Sequence, residues 1–276
     1  MIRFVMMLAA LVAMATPATA KDGPRDLRVM SFNVRLPIAS DGPNAWAQRR
    51  DLLVATIARA DPDIIGTQEL FKVQGDYIVG KLPAFTWFGR DRRGGHGDEH
   101  MGVFYRRDRM TLLASGDFWL SDTPDTIASI TWGHPLPRMV TWGKFRTRTG
   151  RTFYLFDTHF PYRAEDESAR TRAAALIARR IATIAGTTPV VLTGDFNTVP
   201  GSAAYATLTA SLTDTRIAGA TGPVETFHDF TGTPDRRIDW IFARRFTPRS
   251  YATITDHDGV RYSSDHFPVM TVLRWR

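Results

Sequence analysis

The chain has 276 residues, 43% of them hydrophobic, a length that suits one large domain with a substantial core. It contains no cysteine, which excludes disulfides, thiolate zinc sites and thiol nucleophiles. The formal charge of +7 suits phosphate-bearing substrates without requiring one, since only Lys21, Lys72, Lys81 and Lys144 are lysines and no long basic run occurs.

Arg3, an apolar run over residues 5–14 and the small-residue sequence Ala18-Thr19-Ala20 follow one another in the order of a secretory signal peptide. The run is well short of the ~20 residues that span a bilayer. The expectation is cleavage near Ala20 and an exported domain over residues 21–276, periplasmic or secreted. Neither stable membrane insertion nor an obligate protein partner is expected.

Residues 27–33 read as a strand. Asn44 is placed to cap a helix running to Ala60, with Trp46, Leu53 and Ile57 on one face and Asp61-Pro62 as the stop. A buried strand follows over 64–69, then paired strands over 103–106 and 111–115. Strands are expected at 141–147, 152–158, 190–193, 238–242 and 269–274. Between them a helix spans about 164–185, with an acidic start that suits the positive end of its dipole and Gly186 as its stop. Many strands and few helices suggest packed sheets flanked by helices in one α/β domain.

The chemistry sits where these strands stop. Asn33, Gln68-Glu69, Asp157-Thr158-His159, Gly194-Asp195-Phe196-Asn197 and Ser264-Asp265-His266 each adjoin an apolar strand. Asp239 lies within Arg237-Ile238-Asp239-Trp240, where an unpaired buried carboxylate would be costly. Glu69, Asp195, Asn197, Asp265 and Asn33 together offer oxygen ligands, which suits a hard cation such as Mg²⁺. His266 or His159 could handle protons near neutral pH, and Asp239 could hold an imidazole in one tautomer. Taken singly, an Asp or Asn after a strand is more often a turn residue.

In order, these segments resemble the successive motifs of the endonuclease/exonuclease/phosphatase superfamily, over nearly the whole chain. That resemblance implies a four-layer α/β/β/α sandwich of two mainly antiparallel sheets flanked by helices. It implies an Mg²⁺-dependent phosphoester hydrolase, with Mn²⁺ as a substitute cation. By position, Glu69 resembles the main metal ligand, with Asn33 and Asp265 beside it. Asp195 and Asn197 resemble the pair that orients water and contacts phosphate. His266 resembles the general base, Asp239 its partner and His159 a second, phosphate-facing histidine. Glu99 is similar to a glutamate that partners that histidine, and Arg138 to a phosphate-contacting arginine, the alternative being a solvated surface charge. The detail around Phe118-Trp119-Leu120-Ser121 looks most like a small exported bacterial branch without an assigned substrate. A phosphodiester, extracellular nucleic acid among the candidates, is the leading substrate class. The alternatives are a phosphomonoester, a lipid head group and a catalytically silent binding module of the same fold.

Overall fold

The computed structural model describes residues 25–276, so the expected signal segment 1–20 lies outside the described residues. The chain forms β1 (Leu27–Asn33), α1 (Trp46–Ala60), β2 (Ile64–Leu70), α2 (Lys72–Lys81), β3 (Phe85–Phe88), β4 (His100–Arg106) and β5 (Met110–Trp119). It continues through β6 (Met139–Thr147), β7 (Thr152–His159), α3 (Glu167–Ala185), β8 (Val190–Asp195), α4 (Ala203–Thr209) and β9 (Thr213–Asp214). Last come β10 (Asp239–Arg244), β11 (Phe246–Thr253), the small ribbon β12 (His257–Asp258) and β13 (Arg261–Tyr262), and β14 (Val269–Trp275).

Two six-stranded sheets result, in the orders β11-β14-β1-β2-β4-β3 and β5-β6-β7-β8-β10-β9. Each contains one parallel pair. β1 and β2 are joined through α1, and β7 and β8 through α3; the other pairings are antiparallel. The helices follow from this, because a parallel pair needs a crossover long enough to return to the starting edge. Alternation of side chains along the strands then divides the apolar residues into three layers. Val29, Ile64, Val103, Phe153, Leu155, Val191 and Ile241 face one another between the sheets. Met30, Phe32 and Ile65 pack outward against Leu53 and Ile57 of α1 and Ile78 of α2. Phe156, Leu192, Trp240 and Phe242 pack outward against Ile177 and Ile181 of α3 and Leu208 of α4. The architecture is the expected four-layer α/β/β/α sandwich.

Differences from the expected elements have local causes. Asn44 does not cap α1: its side chain accepts from Tyr262 N–H at 2.8 Å and donates to the Val260 carbonyl at 3.3 Å, tying the β12–β13 ribbon down. Helix α2 contains Gly75 and Gly80, whose low helix propensity hid it. Its first turn is held by Gln74, which accepts from the Phe71 N–H at 2.9 Å. Helix α4 is only seven residues long and starts on Ser202, whose hydroxyl accepts from Tyr205 N–H. β11 carries Pro248 at a register shift, where no ladder donor is needed.

Candidate active site

The carboxyl ends of the two parallel pairs meet at one end of the sandwich, the place where open α/β sheets present ligand crevices. Asn33 and Glu69 arrive from β1 and β2, His159 and Asp195 from β7 and β8. Asp239 opens β10, and Asp265 and His266 precede β14. Glu99 precedes β4 and Arg138 precedes β6. All but Asn33 and Asp239 line one cavity of ≈ 410 Å³.

The contacts cross from sheet to sheet. Asn33 Nδ2 donates to Glu69 Oε1 at 3.1 Å and to Asp195 Oδ2 at 3.0 Å. Its side-chain Oδ1 accepts from Arg35 N–H at 3.0 Å, so Asn33 meets the carboxylates through its amide N–H donors. Glu69 sits at a register shift in β2, in the left-handed region at φ 57°. Such strain in a non-glycine residue persists only where its surroundings enforce it. Here the second Glu69 oxygen accepts from Leu36 N–H at 3.1 Å. Asn197, also left-handed at φ 48°, donates its side chain to the Phe160 carbonyl, and its N–H caps Asp195 Oδ1 at 3.0 Å.

His266 Nδ1 lies 2.9 Å from Asp239 Oδ2, which also accepts from Thr226 Oγ1 at 2.6 Å. A donor on Nδ1 leaves Nε2 facing Asp195 Oδ2 at 3.8 Å. His159 Nε2 reaches the same Asp195 oxygen at 3.5 Å, and its Nδ1 lies 4.0 Å from Glu99 Oε2. Arg138 is 3% exposed, so it is no solvated surface charge; it lies 3.9 Å from Glu99. Every site residue expected from the sequence therefore converges on this rim.

Burial sets the protonation states. It pushes Asp195 up toward neutrality, reinforced by the nearby Asp239 charge and opposed by His266. Burial likewise raises Asp265 and Glu99, and Glu69 adds repulsion to both. For His266 burial opposes the charge, but Asp239, Asp195 and Asp265 outweigh it and hold the imidazole up at about 10. Burial drives His159 well down, and the positive charges of Arg138 and His266 push it further the same way. Environment alone thus pushes the two imidazoles of this rim in opposite directions, His266 up and His159 down.

The donor set fits a hard divalent cation. Glu69, Glu99, Asp195 and Asp265 crowd one cavity, and three of them are raised, chiefly by burial and then by a neighbouring carboxylate. Asp195, Asp239 and His266 also bring ligand atoms within 4.8 Å of one another. Asp239 is already engaged by His266 and Thr226.

Sequence reasoning missed several residues at this rim. Arg35, left-handed at φ 53°, forks onto Asp41 and reaches Asp265 at 3.2 Å. Arg92, 7% exposed, pairs with Asp98 and Glu99, both at 2.9 Å. Phe227 packs edge-on to the His266 ring at 5.0 Å and carries the Arg236 guanidinium at 4.5 Å from its own ring centroid. The only sequence signal for these was Thr226-Phe227-His228 shortly before Arg237-Ile238-Asp239.

Comparison with known proteins gives a consistent result. A solved endonuclease/exonuclease/phosphatase from Bacteroides vulgatus is 33% identical, with a TM-score of 0.87 over 92% of this chain and 100% of its own. The Bacteroides thetaiotaomicron mannosyl-6-phosphatase structure is 32% identical, with a TM-score of 0.84 over 90% of this chain and 100% of its own. An uncharacterized protein of Acanthamoeba polyphaga mimivirus is 27% identical over 253 residues, covering 83% of this chain and 92% of that protein. The model of the endonuclease/exonuclease/phosphatase family matches residues 30–266, and the chain belongs to that family.

Proposed function

We propose that this protein hydrolyses a phosphoester by attack of water on phosphorus with Mg²⁺ bound, and that its substrate is a small phosphomonoester on a sugar-sized group. The observation that carries the reaction is the convergence of Glu69, Asp195, Asp265, His159 and His266 on one cavity, with Asp239 bound behind His266. The chain's membership of a family of phosphoester hydrolases supports the same reading.

Glu69 and Asp265 would hold the cation, and Asn33 fixes Glu69 against Asp195. Bound there, a divalent cation offsets the charge of the phosphate and the charge that develops in the transition state. Asp195, raised toward neutrality, is the group poised to take a proton from water, because a base works best near its operating pH. His266 resembled the base in the sequence; held cationic at about 10, it is better suited to stabilise negative charge on the phosphoryl oxygens. His159 and Arg138 supply donors from the opposite wall. Asp239 accepts from His266 Nδ1 and stabilises its positive charge, leaving the Nε2 donor facing Asp195.

Two observations favour a small monoester over nucleic acid. A cavity of ≈ 410 Å³ is near the lower end of small-ligand sites. The mannosyl-6-phosphatase matches along its whole length. The test is a panel with Mg²⁺ or Mn²⁺: mannose 6-phosphate and other sugar phosphates, inositol phosphates, bis-p-nitrophenyl phosphate, sphingomyelin, RNA and plasmid DNA. Phosphate release from sugar phosphates, insensitive to salt, is expected. Nucleic-acid cleavage that falls steeply with salt would replace the monoester reading. No turnover on any substrate, with Mg²⁺ bound, would favour a silent binding module. Export rests on residues 1–20 alone; among the described residues no helix is long and apolar enough to cross a membrane.

A further inference from the structure

Directly beneath the rim lies a polar cluster that the proposed chemistry does not use. Asp157 is fully buried on β7, two residues before His159. Its Oδ1 accepts from Gln68 Nε2 and from Thr193 Oγ1, both at 2.7 Å. Gln68 immediately precedes Glu69 on β2, and Thr193 lies two residues before Asp195 on β8. One carboxyl group therefore links, across both sheets, the three strands that end in Glu69, His159 and Asp195. The glycine inside β2 belongs to this arrangement. A Cβ at Gly66 would stand 2.0 Å from Thr193 Oγ1 and 2.3 Å from Asp157 Oδ1.

Asp157 Oδ2 and Gln68 Oε1 are both buried and both without a hydrogen-bond partner. A carboxylate and an amide carbonyl can only accept, so an ionised Asp157 leaves two orphaned acceptors on side chains that already share one bond. Nothing charged faces it. Gln68 and Thr67 approach from β2, Thr193 from β8 and Thr158 from its own strand, all neutral. Burial pushes the carboxyl well above its ordinary range, against the hydrogen bonds from Thr193 and Gln68 and the weaker approach of the Thr158 and Thr67 N–H groups.

We infer that Asp157 is a neutral acid whose Oδ2–H donates to Gln68 Oε1, forming a two-point acid–amide pair that positions Glu69 against the strands bearing His159 and Asp195. A single proton satisfies both orphaned atoms and removes a dry charge. Asp157 touches no reacting group, so its effect on turnover rests on the proposed function. Its effect on cation binding rests on that reading too; its protonation does not.

The experiment combines infrared spectroscopy of protein carrying ¹³C-labelled aspartate with Mg²⁺ calorimetry. At neutral pH the difference spectrum of wild type minus Asp157→Asn should show the carbonyl stretch of a protonated carboxylic acid, the bands of Asp195 and Asp265 cancelling between the two proteins. Asp157→Ala should weaken Mg²⁺ binding about 10-fold or more, as outer-shell losses do. It should lower kcat with little change in KM. Asp157→Asn, whose amide can donate to Gln68 Oε1 and accept from Gln68 and Thr193, should recover most of both losses. A difference spectrum without the protonated band, or an Asn variant as impaired as Ala, overturns the inference. Should the Ala variant fail to fold, the infrared band and the Asn variant still decide. Should no substrate turn over, the band still reads this inference apart from the hydrolase reading.

Discussion

At the end of the sandwich remote from the site, Asp61 and Asp63 meet Arg28, Arg106 and Arg109. Asp61 takes Arg106 at 2.5 Å and Arg109 at 3.0 Å, while Asp63 takes the Arg28 N–H at 2.8 Å and the Arg109 guanidinium. The adjoining cleft is the larger of the two, ≈ 560 Å³ against ≈ 410 Å³. Yet the Asp61 and Asp63 carboxylates beside it have their charge answered. At the candidate active site, Asp195, Asp265 and Glu99 are left raised by burial and by neighbouring carboxylates. Both ends carry clustered arginines and acids. Pairing accounts for the acids at one end; at the other, burial raises three carboxyl groups even though Arg35, Arg92 and Arg138 stand beside them, the setting in which the proposed function places a cation and a phosphate.

The largest effect should come from neutralising one residue at each end. Asp195→Asn should cost about 10²–10⁴-fold in kcat, while the metal-free Tm stays level or rises because a poorly solvated charge is gone. Asp63→Asn should do the reverse, keeping turnover and losing about 1–3 kcal/mol of stability. Kinetics and thermal melts on the two variants check this; equal losses in both quantities for both variants would erase the contrast. Glu69→Gln comes next, with Mg²⁺ binding by calorimetry expected to disappear while the fold melts normally. Gly66→Ala should follow, costing about 1–3 kcal/mol through overpacking, because its Cβ would meet Thr193 and Asp157. Chemical denaturation measures it.

The smallest effect is a pH trend. Asp195 and Asp265 have raised values in the folded, metal-free protein, so it keeps protons that the unfolded chain has released. Their contribution to stability is fully present below the ordinary carboxylate range, about pH 4, and is lost as pH rises toward neutrality. A bound cation competes with those protons. The rise in Tm on adding saturating Mg²⁺ should therefore grow from about pH 5 to about pH 8. A gain that shrinks over that window would contradict the placement of the cation beside these carboxyl groups.

How much of this was legible in the sequence differs between the sandwich and the site. Strand ends were readable because apolar alternation stops abruptly at Asn33, Glu69, His159 and Asp195, and the sheets bring those stops together. The Asp239–His266 contact was foreseeable on energetic grounds, since a carboxylate inside an apolar strand needs a partner. The arginines were not. Arg35 acts here only because its backbone turns left-handed and because Asp265 arrives from the far end of the chain. Arg92 depends on a tight loop in which Asp91 accepts N–H groups from Arg93, Gly95, Gly97 and Asp98. Asp157 looked like a companion of His159, and nothing in its local sequence announced Gln68 as its partner.

Half of the rim stands on each sheet, and the layer between them acts as a spacer. Val29, Leu155, Val191 and Ile241 keep the facing walls at the distance that lets Asn33 reach Asp195 and His266 reach Asp239. Trimming one of these side chains lets the walls settle by a fraction of an ångström, a shift a fold tolerates more readily than a reacting geometry. Turnover should thus report on the thickness of this interior before melting does.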